Sequence, residues 1–438
     1  MTYDIVLGRD SSDKEKFGDK GLVYIGKGYV KMGNYTSLSN KMWLDVARNH
    51  VILIAGKRGS GKSYTIGVLA EELANLPPEN AQNIASLIFD TMGIFWTMKF
   101  ENEKDQALLK SWDLKTKILP VNVCVPFGKA QEYKEKNIPV DTTFALKVKE
   151  LEAEDWITLF NLDITSLPGV LIQRTISELT AQPHAFTIKE IIQTLERDEK
   201  ASPSTKEIVA SLFSAAESWG IFATSGEEGT EVSDLLTPGT TTVLDVSVYS
   251  AISTFNIRAL VISLITRKIF KTRLDSRKKE EMESIQHGQE YLVYGNQREQ
   301  PLVWIFIDEA HEFLPREGKT PATDALVQLL REGRQPGISL VLATQQPGQI
   351  HKDVMTQADM VIAHRVTAKA DLEALNEIMQ SYVLESIKKQ MDNLPSLKGS
   401  AILLDDNAER MYAVRIRPRF TWHGGESPSS IKTELQFT

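Results

Sequence analysis

The sequence predicts an α/β fold on a mainly parallel sheet, and three observations carry that expectation. Residues 51–55, Val-Ile-Leu-Ile-Ala, form an apolar run without alternation, the pattern of a strand buried on both faces. The run breaks at Gly56, Gly59 and Gly61 and passes into an amphipathic stretch over 64–73, which gives strand, loop and helix in succession. Two further apolar runs, 85–89 and 302–307, end in Asp90 and in Asp308-Glu309, and acids at the carboxyl ends of parallel strands lie on the ligand side of such a sheet.

The break itself reads Gly56-Lys57-Arg58-Gly59-Ser60-Gly61-Lys62-Ser63, a complete phosphate-binding P-loop, with Tyr64 opening the helix behind it. Glycines let backbone N–H groups curl around an anion, and the helix aims the positive end of its dipole at the same place. Lys62 can reach the β- and γ-phosphates of ATP, and Ser63 can hold Mg²⁺. The strand ending in Asp308-Glu309 fits the second half of such a site. Asp308 would hold Mg²⁺ through water, and Glu309 would orient and polarise the attacking water. Helix capping alone would also explain two acids there, but not beside a full P-loop.

Length and composition bound the rest. A chain of 438 residues with 42% hydrophobic residues can bury a large core, in two or three domains or in one domain with insertions. A single cysteine, Cys124, excludes an internal disulfide and a cysteine zinc cluster, which suits a reducing cytoplasm. No stretch approaches eighteen uncharged apolar residues and the first residues lack a signal-peptide pattern, so the expected location is cytoplasmic, without a membrane segment. The net charge of −8 argues against a surface that is basic all over, and any nucleic-acid partner would need a local patch or a lined channel.

Taken in order, residues 1–46 read as a small β module or partial barrel, with strands over 3–7, 21–25 and 29–32. Asp45, Arg48 and His50 stand at the entry to the P-loop strand and read as surface residues or, alternatively, as nucleotide contacts. Residues 47–129 form the first part of the core, with a strand pair over 113–127; there Asp90 reads either as a site acid or as a helix cap. Residues 130–235 change to helical segments, 144–151, 154–160, 170–179, 188–195 and 204–216, and read as an insertion. The core resumes over 236–420. Its helix over 255–274 carries Arg258, Arg267, Lys268, Lys271 and Arg273 on what reads first as a solvated face and alternatively as a partner surface; residues 284–300 read as loop.

Further on, Arg331 and Arg334 fall in a glycine-bounded turn, from which an arginine could reach a nucleotide on an adjacent subunit or else pair with a nearby acid. Gln345 ends the strand over 338–343 and is placed to sense the γ-phosphate or position water. The loop 316–319 reads as pore lining or as solvated loop. Residues 412–419 alternate apolar and basic positions, one strand face buried and the other charged. The segment 421–438 is a Ser- and Pro-rich tail, either disordered or an arm that orders against a neighbour.

The ordered set of the P-loop, Asp90-Thr-Met-Gly93, Ile307-Asp-Glu-Ala-His311, Arg331-Glu-Gly-Arg334, Leu342-Ala-Thr-Gln-Gln-Pro347 and Arg415-Ile-Arg-Pro-Arg-Phe-Thr-Trp-His-Gly-Gly425 resembles the HerA branch of the FtsK/HerA ATPases. The resemblance runs from about residue 25 to residue 425 and departs at Ile94, where relatives often carry Glu, and at Gln346, where they often carry Arg. It implies a RecA-like core with a helical insertion, and a hexameric homo-oligomer that translocates double-stranded DNA through its central channel. ATP and Mg²⁺ would sit between subunits, with Lys62, Ser63, Asp308 and Glu309 on one side and an arginine from the next subunit on the other. It also implies a separately encoded nuclease or NAD-consuming effector as partner, in DNA end processing or antiphage defence.

Overall fold

The computed structural model describes residues 4–32, 35–224, 229–251, 255–288, 291, 298–379 and 387–426. Its strands are β1 (Ile5–Leu7), β2 (Leu22–Met32), β3 (Tyr35–Asp45), β4 (Val51–Ala55), β5 (Ile84–Asp90), β6 (Val121–Pro126), β7 (Thr142–Phe144), β8 (Thr241–Asp245), β9 (Leu302–Ile307), β10 (Ile338–Thr344), β11 (Met360–His364), β12 (Ser400–Asp405) and β13 (Arg410–Ile416). They join one sheet in the order β1-β3-β2-β13-β12-β11-β4-β10-β9-β5-β8-β6-β7. From β11 to β7 every pairing is parallel. From β11 back to β3 it is antiparallel.

The parallel half is buried on both faces, which is why its strands carry unbroken apolar runs. Ile52 and Ile54 of β4 point into one core layer with Ile66 and Leu69 of the P-loop helix, Lys62–Ala74. Leu53 and Ala55 point into the other, with Leu260 and Leu264 of the helix Ile257–His287 and Leu326 of the helix Thr323–Glu332. The α/β, mainly parallel, RecA-like expectation is what the chain folds into.

Several local expectations are corrected. The strand pair over 113–127 is the single strand β6, and Ile118, which precedes it, is 75% exposed. Residues 144–151 are not a helix: Phe144 ends β7 at the sheet edge and only Val148–Glu150 makes a 3-10 turn. The other insertion helices stand at Ala153–Leu159, Leu167–Thr180, Ile188–Arg197 and Pro203–Glu217. The N-terminal strands β1, β3 and β2 extend the main sheet through β13, and β3 had no counterpart in the sequence reading. The helix expected over 255–274 runs on to His287, so 284–287 are helical; 289–290 and 292–297 lie outside the described residues.

Several cations of that long helix pair within the molecule, while Lys271, Lys278 and Lys279 are exposed. Arg267 pairs with Asp155 at 2.6 Å and Lys268 with Glu150 at 2.8 Å, both acids of the insertion, while Arg273 is buried against Glu280. Asp45 and His50 are likewise not surface residues. Arg9 binds Asp45 and Asp359 binds His50, each at 2.7 Å, at the end of β4 away from the P-loop.

Candidate active site

Four strand ends and one helix start converge on the P-loop. The loop turns through positive φ at Gly59 (72°) and Gly61 (117°), which glycine adopts without strain. Gly56 is needed for space: a Cβ there would lie 2.7 Å from the Cβ of His364. The Gly56 amide donates to the Thr344 carbonyl and the Lys57 amide to the Arg365 carbonyl, so the ends of β10 and β11 anchor the loop on both sides. Lys62 is buried and its ammonium lies over the loop, 3.5 Å from the Lys57 carbonyl. Lys57, Arg58 and Gly59 are exposed at the rim.

Ser63 donates its hydroxyl to Asp308 at 2.5 Å, which joins the P-loop to the acid that ends β9. Glu309 follows at φ 51°, a left-handed position that is uncommon for a non-glycine residue. Burial, and then the charge of Asp308, push the Glu309 carboxyl above the ordinary glutamate range, while Lys62 and the Gln345 side chain work against that rise. The Gln345 side chain therefore stands beside the Glu309 carboxyl. Behind it His311, held neutral by burial, lies 3.2 Å from the Thr344 hydroxyl and 3.7 Å from Glu309 Oε2.

Two buried polar atoms here lack a hydrogen-bond partner, Ser60 Oγ and Glu309 Oε2. Leaving such atoms unsatisfied costs about 1–3 kcal/mol each. Among the described residues no three His, Cys, Asp or Glu side chains gather as a metal cage. Mg²⁺ needs none, because it is ordinarily held by one or two protein oxygens together with phosphates and waters. Ser63, Asp308 and the glycine cradle fit that donor set.

The two arginines separate. Arg331 lies in the last turn of the helix Thr323–Glu332 rather than in a turn, and is bound by Asp353 of its own chain at 2.6 Å. Arg334 follows Gly333, is exposed, and among the described residues its guanidinium has no partner. Asn49 donates to its carbonyl at 2.6 Å, which fixes it at the amino end of β4 and β10. The seven residues of β10, at about 3.3 Å each, put it roughly 20 Å from the P-loop edge of its own subunit.

Sequence reasoning missed His364 and misplaced Arg417 and Arg419. His364 is buried under the loop, one ring nitrogen 2.8 Å from Thr65 Oγ1 and the other 3.1 Å from the Ser400 carbonyl; burial lowers its pKa to about 4, so it stays neutral beside Lys62. Its only signal was a lone histidine at the end of an apolar strand. Arg417 and Arg419 do not face solvent. Both are fully buried on the P-loop helix, where Glu71 receives Arg417 at 3.1 Å, Arg419 at 3.0 Å and the amides of Phe420 and Thr421. The Arg419 amide donates to Tyr64 Oη, tying the chain's last strand to the residue after Ser63.

Asp90 accepts from the amides of Met92, Gly93 and Phe95 in the turn after β5, and the N-cap position of the 3-10 helix Phe95–Lys99 is Ile94. In the loop 316–319, Arg316 donates to the Gly348 carbonyl and Lys319 pairs with Asp324. Residues 421–426 run along 97–102, Trp422 donating to the Phe100 carbonyl at 2.7 Å; the rest of the tail, 427–438, lies outside the described residues.

A glycine cradle with its lysine, a serine bonded to a strand-end acid and a second acid beside a polar strand end define a P-loop ATPase. A family model described as "Helicase HerA, central domain" matches residues 30–269, more than half of the chain, and the chain belongs to that family. A second model, "Zonular occludens toxin (Zot)", matches residues 251–414.

Among similar proteins is the DNA double-strand break repair helicase HerA of Sulfurisphaera tokodaii, 21% identical over 397 residues, which cover 89% of this chain and 69% of that protein. The protein of the same description from Pyrococcus furiosus is 27% identical over 161 residues, 35% of this chain; the match spans 26% of its own length. Among solved structures, VirB4 of Thermoanaerobacter pseudethanolicus superposes with a TM-score of 0.55 at 13% identity, over 95% of this chain and 98% of the other, a likeness of fold. No helix among the described residues is long and apolar enough to cross a membrane.

Proposed function

We propose that the chain is a Mg-ATP-dependent motor subunit that assembles into a hexameric ring, translocates double-stranded DNA and works with a separately encoded nuclease or other effector. The observation that carries the reading is the joined site of Ser63, Asp308, Glu309 and Gln345 at one end of the sheet, with Arg334, unpaired among the described residues, at the other. In this reading the amides of 57–61 and Lys62 bind the phosphates, and Ser63 and Asp308 hold Mg²⁺, which supplies charge neutralisation when bound. Glu309 orients the attacking water and takes its proton; Gln345 fixes the Glu309 carboxyl. Arg334 reaches the nucleotide of the next subunit, while Arg331 holds its own helix through Asp353.

The relatives, DNA double-strand break repair helicases, support DNA as the substrate, and the resemblance supports the ring and the effector. Residues 47–129 and 236–420 act as one ATPase core, 130–235 as an insertion between strands of the sheet and 421–438 as a trailing arm. The test is ATP turnover by the purified ring with and without duplex DNA. Stimulation by DNA alone is expected. Turnover that ignores DNA but rises with a partner effector would replace the motor by an ATP-gated scaffold.

A further inference from the structure

Beside the P-loop stands a partly buried arginine that has no side-chain partner among the described residues. β11 runs parallel to β4 with Ala363 level with Ala55, so His364 and Arg365 come level with Gly56 and Lys57. The Lys57 amide donates to the Arg365 carbonyl at 3.0 Å. His364 is committed inside the molecule, both ring nitrogens bonded and its Cβ against Gly56. Arg365 is partly buried, and among the described residues its guanidinium makes neither an ion pair nor a hydrogen bond.

Four other arginines have partners: Arg316 the Gly348 carbonyl, Arg331 Asp353, and Arg417 and Arg419 Glu71. A guanidinium taken partly out of water without an anion is unfavourable, and its planar fork matches phosphate oxygens.

We infer that Arg365 is a further nucleotide-binding residue, which holds the polyphosphate of ATP in its own subunit. It does so from the β11 side of the P-loop, across β4 from Asp308 and Glu309 on β9. The sheet order β11-β4-β10-β9 sets this division, with acids for metal and water on one flank of the loop and a fixed cation on the other. The inference rests on the ATP reading of the loop and adds to it a residue outside the P-loop motif.

The experiment is calorimetric titration of the full chain with ATP, ADP and AMP in magnesium, for the wild type, Arg365→Ala, Arg365→Lys and Lys62→Ala. A lost charge-assisted contact predicts that Arg365→Ala binds ATP and ADP about tenfold more weakly or worse, with AMP affected far less. Arg365→Lys, which keeps the charge, recovers part of the loss. Equal loss for all three nucleotides, or ATP and ADP affinities unchanged in Arg365→Ala while the wild type binds and Lys62→Ala does not, overturns the arginine's role. A wild type that binds no ATP removes the nucleotide site itself and this inference with it.

Discussion

At the residue scale the acid proposed to orient the water, Glu309, is the sharpest point. Glu309 sits in a left-handed conformation with one carboxylate oxygen unsatisfied, beside Asp308, Lys62 and Gln345. Glu309→Gln keeps the shape and removes the base, so the expected outcome is retained ATP binding with turnover down by about 10²-fold or more. Filter binding of labelled ATP beside a phosphate-release assay separates the two; near-normal turnover would exclude Glu309 as the base. A second residue pair carries a pH signature. Burial, then the charge of Asp245 across the β5–β8 pairing, raises Asp90 to about 7. An acid whose folded pKa lies above its unfolded value contributes stability at low pH, and that contribution is lost as pH rises through the folded value. Thermal melts from pH 5 to 8 should therefore fall with rising pH, and Asp245→Asn, which removes the neighbouring charge, should flatten the fall. An unchanged slope in the variant would contradict the coupling.

At the scale of elements, the P-loop helix is the piece whose surroundings sequence patterning described least well. Its N-terminal signature is local, a loop of fixed spacing, and was legible; its partner is distant, because Arg417 and Arg419 come from some 350 positions along the chain. Alternation of apolar and basic residues in a strand ordinarily means a wet charged face. Here Glu71 and Glu72, buried on the helix, turn the same pattern inward. Glu71 stays ionised because two guanidiniums and the Thr421 hydroxyl outweigh the burial that would neutralise it. Glu71→Ala leaves two buried cations short of their acid, and urea denaturation should show a loss of about 3–5 kcal/mol. Gly67 gives a finer test, since a Cβ there would come within 2.9 Å of Arg419 Nε and 2.5 Å of its Cζ. Alanine would add about 1 kcal/mol of helix propensity at an open site. With Arg419 fully buried and unable to retreat, Gly67→Ala should lower the melting temperature; a rise would show that the arginine moves freely.

At the scale of the whole molecule, the parallel half of the sheet was legible because strands buried on both faces write themselves as unbroken apolar runs: β4, β5, β9 and β10 lie close to the expected positions. The antiparallel flank was harder. β3 opens with the mainly polar run Tyr-Thr-Ser-Leu-Ser-Asn-Lys and only Met42-Trp43-Leu44 near its end is apolar; its membership is set by pairing with β2 over a bulged register, which no local pattern announces. The same parallel geometry separates the P-loop edge from Arg334 by roughly 20 Å, too far for one subunit to use both on one nucleotide. The account therefore requires a neighbour. The most direct measurement of that requirement is ATP turnover in mixtures of Lys62→Ala and Arg334→Ala subunits, each inactive alone. The account predicts that mixing restores part of the activity, because some interfaces then pair an intact P-loop with an intact arginine; no recovery at any ratio would contradict it.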